Sequence, residues 1–145
     1  MAAGRGKERV FLDANVLYPA AYLEGSGLLT LWRLSGVELL SSAYAVEEAR
    51  RNLREDRPGA LARLDNLLRK VRTVDEGEGG DTPGSVQLDS KDWPILLAAV
   101  RGNAGFLLTG DKRHFGHLYG QTVRAVTVCR PADYLRGHRR RRRKR

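Results

Sequence analysis

A single cysteine, Cys129, stands in the 145 residues. No intrachain disulfide can form, and a zinc site built on several thiolates of one chain is excluded. Cys129 follows Val126 and Val128 and reads as a small core residue. Long apolar runs are also missing: no stretch approaches the 18 or more residues that would span a bilayer. The start, Met1 to Arg9, is basic, and Val10 to Leu12 is too short for the apolar core of a signal peptide. These absences predict a cytoplasmic protein without a membrane helix. Residues 139–145 contain no acid and hold seven of the positive charges, so most of the formal net charge of +9 sits in that run.

What is present suits one folded domain: 41% hydrophobic residues over a length that has room for one core. The composition predicts a short basic N-terminal extension over residues 1–9, a globular part over 10–136 and a polybasic tail over 137–145. With no apolar anchor and adjacent like charges, the tail is expected to be disordered in the free protein. Arg139, Arg140, Arg141, Arg142, Arg143, Lys144 and Arg145 are either a solubilising end or a contact for nucleic-acid phosphates.

Along the chain, short apolar runs alternate with amphipathic stretches. Val10–Leu12 reads as a buried strand stopped at Asp13. Leu28–Leu34 has helical spacing, and Val37–Leu40 is a second apolar run. Ser41 or Ser42 caps a helix over about 43–53, which Arg57-Pro58-Gly59 breaks. Ala60–Val71 resumes the helical period, and Val71–Val74 is a short strand. Residues 75–85, rich in Gly, Asp and Glu, form a loop. Ser90 caps a further helix that tolerates Pro94 in its first turn and ends at Gly102-Asn103. Gly105–Thr109 is an apolar strand, 125–129 a last one, and Pro131 opens a short helix through Leu135. This alternation predicts an α/β three-layer sandwich, a mostly parallel central sheet flanked by helices.

Ligand sites in such sheets lie beyond the carboxyl ends of the strands. Asp13 and Asp111 occupy two such places, after the two clearest buried strands. Asp92 opens a helix, where the dipole favours an acid in any case, and Glu47 and Glu48 lie early in another. Each alone is an ordinary cap, turn or solvated acid; four together suggest a site.

The stretch Val10-Phe11-Leu12-Asp13-Ala14-Asn15-Val16-Leu17 resembles the opening motif of PIN domains. Ser42-Ala43-Tyr44-Ala45-Val46-Glu47-Glu48-Ala49 resembles the second, Lys91-Asp92-Trp93-Pro94-Ile95-Leu96-Leu97-Ala98-Ala99 the third, and Leu107-Leu108-Thr109-Gly110-Asp111 the fourth. They occur in family order, and the chain is similar to compact bacterial PIN-domain ribonucleases of the VapC-toxin type. Counting from Ser42 favours Glu48 over Glu47 and leaves both open. The chain departs from the pattern after Asp111, where Lys112-Arg113-His114 stands and some relatives place a further acid.

The resemblance implies a metal-dependent endoribonuclease, a homodimer, and a toxin held inactive by an antitoxin protein. Clustered carboxylates need a cation to be ionised together, and hard oxygen donors favour Mg²⁺ or Mn²⁺. Asp13, Asp92 and Asp111 are then expected as metal ligands, with Glu48 binding through water or orienting it. Asn15 and Thr109 are expected to hold the carboxylates by hydrogen bonds, or else serve only local turns. Lys112 and Arg113 are candidates for RNA phosphate contact. His114 and His117 read as a surface helix, because no third ligand with zinc spacing follows. Two other readings stay open: an inactive PIN-fold RNA-binding or regulatory protein, and a phospho-acceptor α/β domain with Asp13 as acceptor. The second lacks a further aspartate two residues on, where Asn15 stands.

Overall fold

The computed structural model describes residues 6–75 and 86–143. The predicted loop beyond Asp75, the first five residues, Lys144 and Arg145 lie outside them. Six strands form one sheet: β1 (Glu8–Leu12), β2 (Val37–Ser42), β3 (Val71–Val74), β4 (Phe106–Leu108), β5 (Thr122–Val123) and β6 (Val126–Cys129). Their order is β3-β2-β1-β4-β6-β5, and every pairing is parallel except β5 with β6. The α/β architecture with a mostly parallel sheet is therefore as the alternation indicated.

Helices α1 (Ala14–Tyr22), α2 (Ala43–Asp56), α3 (Leu61–Leu68), α4 (Trp93–Arg101) and α5 (Lys112–Phe115) lie between the strands, and α6 (Pro131–Arg143) follows the last of them. From β1 the chain moves outward through β2 to β3, then returns past β1 to β4 and β6. The two directions, each with right-handed connections, put α1–α3 on one face and α4 on the other. The strands are buried on both faces, so Val10, Phe11, Leu12, Leu107 and Leu108 are wholly inaccessible. At such positions a continuous apolar run replaces alternation. The point where chain direction reverses lies between β1 and β4, and their carboxyl ends deliver Asp13 and Asp111.

Several local expectations are corrected. Residues 14–22, which carried no helical expectation, form α1, capped by the Asp13 side chain accepting from the Ala14 N–H. The helix expected from Ser90 begins at Trp93, with Asp92 at its N-cap making no side-chain cap bond. The run Gly27–Arg33 is a 3-10 helix rather than an α-helix. The last strand is one arm of a hairpin whose turn puts Arg124 and Ala125 at positive φ. At the end of α4, Asn103 takes the left-handed conformation with φ 55°. Gly102 is needed for space instead, since a Cβ there would meet Val74 Cγ1 at 2.8 Å.

The largest correction concerns the basic run. Pro131 opens a helix that continues to Arg143, where a short helix and a disordered tail were expected. The anchor is electrostatic rather than apolar. Arg141 forks onto both oxygens of Glu8 at 2.8 and 3.1 Å and lies over the rings of Phe106 and Tyr134. The Tyr134 hydroxyl also donates to Glu8, and Arg142 donates to Ser35. Burial pushes the Glu8 carboxyl up, but hydrogen bonds from Arg141 and Tyr134 and the charges of Arg141 and His138 together hold it below its usual range.

Candidate active site

Asp13 leaves β1 directly into α1, and the structure surrounds it with donors. Its Oδ1 accepts from the Ala14 N–H at 2.7 Å; its Oδ2 accepts from Thr109 Oγ1 at 3.0 Å and Asn15 Nδ2 at 3.2 Å. Asn15 Oδ1 in turn accepts from the Gly110 N–H at 2.8 Å, and Thr109 Oγ1 accepts from the Asp111 N–H at 3.1 Å. The two strand ends are thus laced together. Asn15 and Thr109 do touch the carboxylate they were expected to hold.

Burial of Asp13, of which 5% is accessible, raises its pKa to about 6. Hydrogen bonds from Thr109 and Ala14 oppose the rise, while the charges of Glu48 and Asp92 add to it. Desolvation therefore wins over three donated hydrogen bonds, and the crowding of acids worsens it.

The four predicted acids converge. Asp13, Glu48, Asp92 and Asp111 line one cavity of about 140 Å³, with Asn15, Tyr18, Tyr44, Asn52 and Lys91. Ser42 starts α2 by accepting from the Ala45 N–H, which brings Glu48 round to the cavity on the second turn. Glu47, about 100° away on the helix, is exposed and pairs with Arg54 at 3.7 Å. The alternative left open by counting is resolved in geometry: Glu48 faces the cavity.

Asp92 is 8% accessible, and its Oδ2 is buried without a hydrogen-bond partner among the described residues. Burial raises its pKa; His114 and Lys91 oppose that, and Asp111 and Asp89 add to it. A carboxylate oxygen shielded from water and without a donor is costly, and a cation would satisfy it. Oxygen donors, crowding and this orphaned atom all fit a hard divalent ion.

Sequence reasoning missed a further group. Asp89, Asp92 and His114 each offer a donor atom, all within 4.8 Å of one another. It is the one such cluster of metal-capable groups among the described residues; no three of the four cavity acids bring donor atoms that close together. His114 Nδ1 lies 2.6 Å from Asp111 Oδ2, and the His114 backbone N–H donates to Asp111 Oδ1 at 3.1 Å. His114 and His117 do not act together: His117 Nε2 meets the Gln87 carbonyl instead. Asp89 and Asp92 lie more than twenty residues before His114, so a search for short metal spacings could not find the cluster.

Lys112 and Arg113 are exposed and follow Asp111 directly in the chain, and Arg113 lines the groove that holds Asp89 and His114. The basic helix lies apart from the cavity. Glu8, which holds Arg141, begins β1, and Asp13 follows its other end, about 16 Å away at 3.3 Å per residue. Arg141 and Arg142 are committed to intramolecular contacts, while Arg139, Arg140 and Arg143 stay exposed. Cys129 is buried, and burial pushes its thiol up to about 11, as an inert core residue should be.

A family model described as a PIN domain matches residues 9–113. No curated protein matches the sequence. Among solved structures, the fold is similar to a chain of the VapBC2 complex from Rickettsia felis bound to a DNA fragment from their promoter. The TM-score is 0.61 at 13% identity, covering 83% of this chain and 96% of that one.

Proposed function

The chain belongs to the PIN domain family, and from that premise we propose that it is a Mg²⁺- or Mn²⁺-dependent endoribonuclease. The observation that carries the proposal is the convergence of Asp13, Glu48, Asp92 and Asp111 on one cavity at the carboxyl ends of β1 and β4. In this reading Asp13, Asp92 and Asp111 would hold the ion. When bound, it supplies a lowered pKa for an attacking water and neutralises charge on the scissile phosphodiester.

The remaining work falls to the chain. Thr109 and Asn15 fix the Asp13 carboxylate by donating to its Oδ2, so little reorganisation is needed when a cation arrives. Glu48 orients the attacking water and takes up its proton. Lys112 and Arg113 engage phosphates flanking the cut, and exposed Arg139, Arg140 and Arg143 add a more distant, non-specific attraction.

By the same reading the protein is the cytoplasmic toxin of a toxin–antitoxin pair, dimeric and restrained by an antitoxin protein. The structural likeness to a chain of a VapBC2 complex supports this, and no described helix is long and apolar enough to cross a membrane. The test is cleavage of a generic RNA with Mg²⁺ or Mn²⁺, abolished by chelation. Asp13→Asn and Asp111→Asn should lower cleavage on the order of 10³-fold or more, beyond the roughly 10–100-fold typical of a ligand's outer partners. Undiminished cleavage by either pure variant overturns the assignment. A wild-type chain that binds RNA but never cleaves it is an inactive RNA-binding member of the family.

A further inference from the structure

The cluster of Asp89, Asp92 and His114 lies beside the four-acid cavity and shares one residue with it. His114 and Asp89 line the neighbouring groove with Val86, Gln87, Arg113 and His117, whereas Asp92 lines the cavity itself. Asp92 therefore belongs to both groups.

The orientation of the imidazole is informative. Its Nδ1 faces Asp111 Oδ2 at 2.6 Å and its Nε2 faces Asp89 Oδ2 at 3.3 Å. An ionised carboxylate only accepts, so Nδ1 carries the proton given to Asp111. In the neutral ring, Nε2 then turns its lone pair toward a second acceptor. Two acceptors facing each other at that distance repel unless a proton or a cation lies between them. An imidazole braced by a carboxylate on one nitrogen is the usual form of a metal-bound histidine.

The residue that the two groups share carries a further observation. Asp92 Oδ2 is buried and has no partner among the described residues. Donors about 2.0–2.3 Å from a shared ion lie up to about 4.5 Å apart. The observed separations, within 4.8 Å, need only a small inward adjustment.

We propose that Asp89, Asp92 and His114 Nε2 form a second divalent-cation site of mixed nitrogen and oxygen donors, sharing Asp92 with the four-acid cavity and braced by Asp111. The imidazole makes it selective for Mn²⁺ or a later transition ion over Mg²⁺. The site also supplies what the sequence lacked after Asp111: the additional ligand is a histidine one turn along α5 rather than another acid. The proposal extends the nuclease reading, but its readout is ion binding.

The test counts Mn²⁺ bound to the full chain without RNA, by the loss of free-ion resonance signal, and follows histidine ¹⁵N resonances during Zn²⁺ titration. The wild type should bind two Mn²⁺. His114→Gln should bind one, and Asp89→Asn, at an exposed position, should weaken the second by at least tenfold. His114 Nε2 should shift with Zn²⁺ while His117 and His138 do not. Wild-type Mn²⁺ binding by both variants, or an unmoved His114 resonance at saturating Zn²⁺, overturns the site. One Mn²⁺, lost in Asp13→Asn and kept in His114→Gln, also overturns it, yet leaves the nuclease reading intact. Asp13→Asn that cleaves RNA like the wild type, with the His114 shift present, does the reverse.

Discussion

The two ends of strand β1 treat charge in opposite ways. At the amino end, Glu8 accepts from Arg141 and Tyr134, and the only buried atom left without a hydrogen bond among the described residues there is His138 Nδ1, 3.6 Å from the carboxylate. At the carboxyl end, Asp13 shares its surroundings with Glu48, Asp92 and Asp111, and one buried oxygen has no donor. One end spends its charges on holding the fold. The other crowds like charges together, which costs stability without a ligand and creates affinity for a cation.

The sharpest way to break this comparison is to move one residue along α2. Glu48→Gln should reduce cleavage by about 10²-fold or more, the scale of losing a positioned general base, while Glu47→Gln should change it less than twofold. Steady-state rates of the two variants decide the matter, and equal mild losses would remove Glu48 from the site.

Next in size is Thr109→Val, which deletes a donor to Asp13 and an acceptor for the Asp111 N–H. Metal affinity should fall about 10–100-fold, measured by calorimetry with Mn²⁺, with the strands unchanged by circular dichroism.

A smaller effect tests the cost itself. Asp13 in the folded, metal-free chain is raised to about 6 from an ordinary 3.8. Between those values the folded state holds more protons than the unfolded one, so stability falls as pH rises through that window and stays low above it. Asp13→Asn removes the penalty, offset by a weakened set of hydrogen bonds. With chelator present it should be more stable than the wild type at pH 7 by roughly 1–3 kcal/mol, and should lose that advantage below about pH 4. Denaturant melts at the two pH values check it; a variant less stable at pH 7 would mean the hydrogen bonds dominate.

The smallest effect is expected at the amino end. Arg141→Met should cost about 0.5–1 kcal/mol, since the guanidinium is partly exposed and screened. The loss should shrink in high salt, and kcat for RNA should stay unchanged. A collapsed kcat would couple the two ends in a way the geometry does not suggest.

The sequence was most legible where the signal is local. The parallel-sheet strands are apolar runs, Ser42 caps α2, and acids stand just beyond the strand ends; each needs only near neighbours to be read. It was least legible where distant residues decide. The α1 helix carries Pro19 and a weak pattern, and forms because Asp13 caps it and α2 and α3 pack on it. The arginines of 139–143 look like solvent-seeking charge until Glu8, more than a hundred residues earlier, is placed beside them.

The sequence by itself therefore determined the class of fold and the acids that could meet, because strand and helix periods and the strand-end rule are properties of consecutive residues. Only the tertiary structure decided which glutamate faces the cavity, that His114 lies between Asp111 and Asp89, and that the basic run is a docked helix. Those outcomes depend on the angle at which separate elements approach one another, and the packing of the whole core sets that angle.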